Sequence, residues 1–453
     1  MKKIFTLIVA CVATLVATAQ TEGTTTSNAW GLTGEGTEAN PYCIHTADDL
    51  YTMAKNCNAN HKGTGEYFVL KNDINFGGSA ETPKQLPAIG KDGNAQIAAI
   101  AYGFDGTFDG AGHTISGIYH TEMDNNAKGK YNGLCGCIDK NGVVKNLVIS
   151  KDNHIAGYNY VGTIASLNMG LIQNCTNYAD VTAANFAAGG VCGFFVNGTG
   201  IVKDCQNFGN VKAMTYASGI CGGSHSGKSV ASYSYLIEHC TNKGDLSTTN
   251  GLGSAGIAGA YSGAVKDCTN YGITDDTHGT AKSRQYTAGI VACASYAVDI
   301  DGCKNYGTVN GVKNVGGIVG NVMKGDAAAT VIKNCVNDAA VNGQDAYVAG
   351  IVANSARAEG VVSVANCTNN GEVTTTATTD FIGNLRGNSK IALGEGNIIA
   401  AGLKTYKLDP ETSTAIKGIE QNNAVVKNGK YLKNGRIVII NNGNQYNING
   451  TRL

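Results

Sequence analysis

Seven times between Cys175 and Cys367 the chain repeats one phrase: a branched aliphatic residue, two mostly polar residues, Cys, any residue, Asn, any residue, then Gly or Ala. The cysteines are Cys175, Cys205, Cys240, Cys268, Cys303, Cys335 and Cys367, at successive intervals of 30, 35, 28, 35, 32 and 32 residues. A phrase recurring at that period marks a stacked repeat architecture. Each unit is too short to bury an apolar face alone, so its stability must come from its neighbours.

A second block accompanies the first, as in Gly190-Val191-Cys192-Gly193, Gly256-Ile257-Ala258-Gly259, Gly317-Ile318-Val319-Gly320 and Gly350-Ile351-Val352-Ala353. Short apolar runs bounded by small residues read as buried strands. With the segment leading into each Cys and a third run such as that around Val341, they predict three strands and three bends per repeat. That is one coil of a parallel β-helix, an all-β solenoid of about ten coils and on the order of 50 Å in length. All four prolines, Pro41, Pro83, Pro87 and Pro410, lie outside the repeats. Strands hydrogen-bonded on both sides need every N–H, which excludes proline.

The Asn two places after each Cys never varies: Asn177, Asn207, Asn242, Asn270, Asn305, Asn337 and Asn369. Its amide can bond its own turn and the next, so a structural role at a coil corner is expected, and no activating partner repeats beside it. The seven cysteines stack in register and point the same way, whereas a disulfide needs converging Cβ atoms. They are expected to be a column of small buried thiols. Cys43 and Cys57, flanking a predicted helix, are the candidate disulfide.

Between that Asn and the small residue stand Tyr178, Phe208, Lys243, Tyr271, Tyr306, Asp338 and Asn370. If outward-facing, Tyr178, Phe208, Tyr271 and Tyr306 form a discontinuous aromatic stripe suited to a glycan or a partner protein; the competing reading is that they shield the corner by stacking on one another. Parallel β-helices also host polysaccharide lyases and glycosidases, which need clustered acids with a base or a cation. The local candidates are Asp275, Asp276 and His278, with Arg284 nearby, and a solvated turn is the bland reading of the same residues. No His or Cys pair has zinc-site spacing, no glycine-rich phosphate cradle precedes a helix, and no cofactor is expected.

The chain opens with Lys2 and Lys3, an apolar run from Ile4 to Val16, and Ala17-Thr18-Ala19. This pattern predicts a secretory signal peptide over residues 1–19, hence a secreted or cell-surface protein. Ile8-Val9-Ala10-Cys11 offers a lipoprotein cleavage box as the rival reading. No later run reaches the ~20 apolar residues of a membrane helix. Losing Lys2 and Lys3 leaves 32 basic against 34 acidic residues, a net charge of −2, with no basic stripe. Nucleic-acid partners are therefore not expected.

The segment Gly34-Glu35-Gly36-Thr37-Glu38-Ala39-Asn40-Pro41-Tyr42 leads to a helix start at Thr46 with Asp48 and Asp49. Then come Tyr67-Phe68-Val69-Leu70 and Phe104-Asp105-Gly106-Thr107-Phe108-Asp109-Gly110-Ala111-Gly112. With the Gly-Ile-Val-Gly blocks, this order resembles the GLUG-motif surface proteins of Gram-negative bacteria over residues ~34–373. The resemblance implies a right-handed parallel β-helix and an exported, adhesin-like protein. The tail alternates strands with Asn-Gly turns and predicts a small meander; Tyr446-Asn447-Ile448-Asn449-Gly450 resembles the start of a truncated type IX secretion sorting domain.

The expected organisation is a signal peptide (1–19), a linker (20–33), a solenoid (34–402), a second linker (403–424) and a meander (425–453). Within the solenoid, 34–132 holds the opening segment and capping helix, 133–373 the repeats and 374–402 the end cap. The expected function is non-catalytic recognition of a glycan or surface protein through side loops, with a carbohydrate-active enzyme and a structural spacer as alternatives.

Overall fold

The computed structural model describes residues 28–409 apart from 60, 91–102, 121–122, 124–130, 197, 225–233, 279–284, 324–329 and 379, and the tail strands Gly429–Lys433, Arg436–Asn441 and Asn444–Tyr446. The expected signal peptide, Arg284, residues 410–424 of the second linker and Asn447 to Gly450 lie outside the described residues.

The described residues form an all-β parallel solenoid with one helix at its N-terminal end, and a small antiparallel meander follows in the sequence. Through the repeats each coil visits four sheets in turn, while the first coil, among the described residues, uses only sheets I and II. In one coil Ala165–Asn168 and Leu171–Gln173 lie in sheet I, Thr176–Asn177 in sheet II, Val181–Ala183 in sheet III and Ala187–Gly189 in sheet IV, before Cys192–Phe195 returns to sheet I. The coil thus has five short runs rather than the expected three. The difference arises in two places. A tight turn folds sheets III and IV against each other, where Val309, Val315, Val341, Val348, Val373 and Ile382 form a separate apolar wedge. The Gly-aliphatic block is also not one strand: Gly317 and Ile318 turn the corner between Val315–Gly316 and Val319–Val322. A Cβ on Gly317 would stand 2.0 Å from the Gly350 carbonyl oxygen, so only glycine fits that corner.

Repeat register follows from side-chain identity. The aliphatic residue three places before each Cys forms an inward column, with Ile172 beside Val202, Val202 beside Ile237, Val265 beside Ile300 and Ile332 beside Val364. These residues are fully buried in one continuous core. Each contributes roughly 1.5–3 kcal/mol. A slip of one residue would turn the whole column outward.

Sheet II has eleven strands, from Ile74–Asn75 to Ile398–Ile399, so coiling exceeds the expected repeat limits at both ends. Residues 374–402 are not an end cap. Ile382–Gly383, Ala392–Leu393 and Ile398–Ile399 pair in register as a further coil. The cap is formed instead by residues 403–409 of the expected linker. The Tyr406 hydroxyl donates to the Val373 carbonyl, and the Asp409 carboxylate accepts from the Asn384 backbone N–H at 2.6 Å and its Nδ2 at 2.8 Å.

At the other end, helix α1 (Ala47–Asn58) is closed by a capping box between Thr46 and Asp49 and buries Leu50, Met53, Ala54 and Cys57. Residues 28–33 are not a free linker: Trp30 is buried edge-on against Phe68 at 4.7 Å and donates its indole N–H to Glu66 at 2.8 Å. The Cys43–Cys57 bridge is not formed. Cys43 lies on the outward side of strand Tyr42–Ile44, between two inward residues, whereas Cys57 points into the core, so the two thiols occupy opposite faces and both are free. Among the described residues, no helix is long and apolar enough to cross a membrane.

Candidate functional site

The repeated phrase builds the inside of one corner. Asn177 donates its Nδ2 to Asn207 Oδ1 at 2.7 Å, and the same bond passes through Asn242, Asn270, Asn305 and Asn337 to Asn369 at 2.8–2.9 Å. Each amide also donates to the carbonyl two residues on, as Asn242 does to Gly244 at 2.9 Å. Asn369 passes the ladder to Asn384 at 3.2 Å, and Asp409 terminates it. These side chains are fully buried and offer nothing to a ligand.

Beside them the seven cysteines form a buried column of free thiols. Cys240 Sγ donates to the Glu238 carbonyl at 3.2 Å and Cys335 Sγ to the Lys333 carbonyl at 3.1 Å. Burial pushes the Cys205, Cys268 and Cys335 thiols well above the ordinary thiol range. At Cys240 and Cys303, thiol donors from the adjoining coils oppose that effect.

The residue before each Cys explains how the corner turns. Asn174, Asp204, His239, Asp267, Asn334 and Asn366 have φ between 49° and 57°, and Gly302 has 66°. Such left-handed backbone is tolerated by Gly and, among other residues, best by Asn, Asp and His, so the residue types before each Cys mark the bend. Their side chains face outward. His239 lies between two carboxylates, 3.5 Å from Asp204 and 3.7 Å from Asp267.

The outer face of sheet II carries the aromatic stripe. Tyr178, Tyr271 and Tyr306 are 44%, 51% and 42% exposed. Tyr271 and Tyr306 stack at 5.1 Å with an interplanar angle of 11°, Tyr178 stacks on Phe208 at 4.7 Å, and Lys243 Nζ sits 4.6 Å above the Phe208 ring. Strands 4.8 Å apart in register place successive rings at stacking distance. The ring faces within each pair therefore cover one another, while ring edges and tyrosine hydroxyls meet solvent. Next to the stripe, Asp180, Asn210 and Asp245 each accept the backbone N–H of the residue one coil on, at 2.8, 3.0 and 2.8 Å. Ile273 breaks that series and is 44% exposed. Tyr271, Ile273 and Tyr306 consequently form one apolar patch. Of the nine large apolar side chains exposed among the described residues, five (Tyr178, Tyr271, Ile273, Tyr306 and, at the C-terminal end, Ile398) lie along this face.

Asp275, Asp276 and His278 do not converge. Asp276 is fully buried, and its carboxylate accepts from Thr248 N and Oγ1 at 2.9 and 2.7 Å, Ser254 N and Oγ at 2.9 and 2.6 Å, and Thr287 Oγ1 at 3.0 Å. Burial raises its pKa against the pull of those donors. It braces sheets III and IV at the rung position that Gly311 and Gly343 hold in the next two coils. Asp275 is turned to Thr277, accepting from its N–H at 2.9 Å, and His278 is exposed. Among the described residues, no group of three or more His, Cys, Asp or Glu side chains could hold a metal ion.

No family model matches the chain. A stretch of 143 residues is 34% identical to a protein of Evansella cellulosilytica provisionally named as a Gly-rich membrane protein, covering 31% of this chain and 15% of that protein. Halomucin of Haloquadratum walsbyi is 34% identical over 161 residues, 35% of this chain and 2% of its own length. The chain thus spans a small part of both relatives. A crystal structure from Bacteroides ovatus, provisionally named as an immunoglobulin A1 protease, aligns over 84% of this chain and 83% of its own at 17% identity with a TM-score of 0.32, a likeness too loose to bear on function.

Proposed function

We propose that this is an exported, non-catalytic recognition protein of the cell surface, adhesin-like, that binds a glycan or a surface protein through the outer face of sheet II. The single observation that carries this reading is the patch of Tyr271, Ile273 and Tyr306, about half exposed on a rigid ladder whose other outward positions are mostly polar. Tyrosines held by backbone register lose little freedom on binding, which favours them as contact residues. The binding surface would then be a sheet face rather than the side loops.

The resemblance of the Gly-Ile-Val-Gly blocks to GLUG-motif surface proteins supports the same placement, as does the membrane-protein name of one partial relative. The enzymatic alternative draws no support from Asp275, Asp276 and His278, since the Asp276 carboxylate is occupied by five donors inside the fold. Incubation with a panel of polysaccharides, assayed for unsaturated or reducing-end products, tests this reading. Background-level product is expected, and sustained turnover would replace it with a carbohydrate-active enzyme.

A further inference from the structure

Among the described residues, the C-terminal end of sheet III holds a vacant rung. Strand Val373–Thr375 is the last of that sheet, although the chain goes on to add Ile382–Gly383 to sheet IV, Ala392–Leu393 to sheet I and Ile398–Ile399 to sheet II. The next turn of sheet III would be due at about residues 403–406. That segment makes no strand and instead forms one wall of a cleft of about 590 Å³, with Glu372 to Thr375 opposite it.

Backbone directions at this edge follow from the bonds to the preceding coil. Val341 N–H donates to the Glu372 carbonyl and Thr376 N–H donates to the Gly343 carbonyl. Groups alternate sides along a strand, so the N–H and C=O groups of Val373 and Thr375 face the cleft. One of them is engaged: the Tyr406 hydroxyl donates to the Val373 carbonyl, where a backbone N–H of a next rung would otherwise sit.

We infer that this edge is a strand-addition site for an extended peptide of a partner protein. Backbone pairing would supply affinity and the alternating side-chain positions would supply selectivity. The rungs already stacked there read Val309-Asn310-Gly311, Val341-Asn342-Gly343 and Val373-Thr374-Thr375. Their first residue fills the wedge against Ile382 and the second joins an outward polar ladder, with Asn342 Nδ2 donating to Asn310 Oδ1 at 2.9 Å and Thr374 Oγ1 to Asn342 Oδ1 at 2.7 Å. The preferred ligand is thus a β-branched, then a hydroxyl or amide, then a small residue. Around the cleft Glu372 and Asp380 are balanced by Lys404 and Lys407, which suits a peptide without net charge. A second copy is disfavoured as occupant. Its own first sheet III strand, Ile155–Gly157, is recessed behind coils of sheets I and II that begin at Tyr42–Ile44 and Ile74–Asn75.

A fluorescently labelled peptide copying the uncharged residues 339–344, titrated by anisotropy against the full chain, tests the site. Saturable binding is expected, lost when the peptide amides that would face the edge are N-methylated. It should strengthen several-fold in Tyr406→Phe, which frees the Val373 carbonyl, and weaken at least tenfold in Thr375→Pro, which removes an N–H not used by the preceding coil. The methylated peptide keeps the test independent of whether the proline variant folds. Equal binding of the two peptides, or no saturation up to about 1 mM with both wild type and Tyr406→Phe, would overturn the inference. Self-association of the wild type that Thr375→Pro abolishes would overturn it too, by assigning the edge to a second copy.

Discussion

Asn270 donates its side-chain N–H to Asn305 Oδ1 at 2.9 Å, joining two coils 35 residues apart from inside the fold. The same amide donates to the Gly272 carbonyl at 3.0 Å and accepts from Asn242 at 2.8 Å. The amide is therefore held by both adjoining coils and by its own turn.

Replacing this residue by alanine removes four bonds, the fourth being the one the Gly272 N–H donates to Asn270 Oδ1 at 3.2 Å, and leaves both the Gly272 carbonyl and the Gly272 N–H without their side-chain partner. Asn270→Ala is expected to cost about 2–4 kcal/mol, read from the urea unfolding midpoint. Asn270→Asp should cost at least as much at neutral pH, because the carboxylate accepts but cannot donate.

Asp276 provides a parallel test in the wedge between sheets III and IV. Asp276→Ala leaves Thr248, Ser254 and Thr287 donors buried without an acceptor, and a loss of roughly 3–5 kcal/mol is expected from the same unfolding measurement. Asp276→Asn, which keeps an acceptor but brings donors of its own, should fall between alanine and wild type.

These two residues show what could be read in advance. The asparagine recurs at a fixed offset, and a fixed offset in a stacked coil is a statement about register. The aliphatic columns and the helix start at Thr46 were legible for the same reason. Asp276 occurs once, so nothing in its local text distinguishes a buried brace from a catalytic acid; only the donors do so, Thr248 and Ser254 brought from the preceding coil and Thr287 from the facing sheet of its own coil. The vacant rung beside Val373–Thr375 was equally hidden, since it depends on where residues 403–409 fail to make a strand.

The buried imidazole of His120 sets a pH dependence. Desolvation, with the charge of neighbouring His154, lowers its pKa to about 4 from the ordinary 6.5, and its Nδ1 has no partner. The unfolded chain therefore binds the proton more readily. His120 contributes stability that is present above pH ~6.5 and lost as the pH falls towards ~4, worth about 3 kcal/mol across that window. Unfolding midpoints between pH 4 and 7 should show this slope, and His120→Phe should flatten it.

Thiol chemistry distinguishes a packed column from a cross-linked one. Only Cys43 among the described cysteines is not buried. Unreduced native protein should react with a thiol reagent slowly and at most through Cys43, whereas denaturation without reductant should release the whole cysteine ladder as free thiol. Near-zero free thiol after denaturation would mean that bridges replace the column.

The recognition reading rests on Tyr271 and Tyr306. Both are exposed and contribute little to the core, so replacing both with alanine should shift the unfolding midpoint by less than about 1 kcal/mol. The direct measurement is binding of wild type and Tyr271→Ala/Tyr306→Ala to one array of glycans and extracellular matrix proteins. Saturable binding by the wild type and its loss in the folded double variant is the expected result. Binding that survives the double substitution unchanged, or no saturable binding by the wild type, would contradict a recognition surface on sheet II.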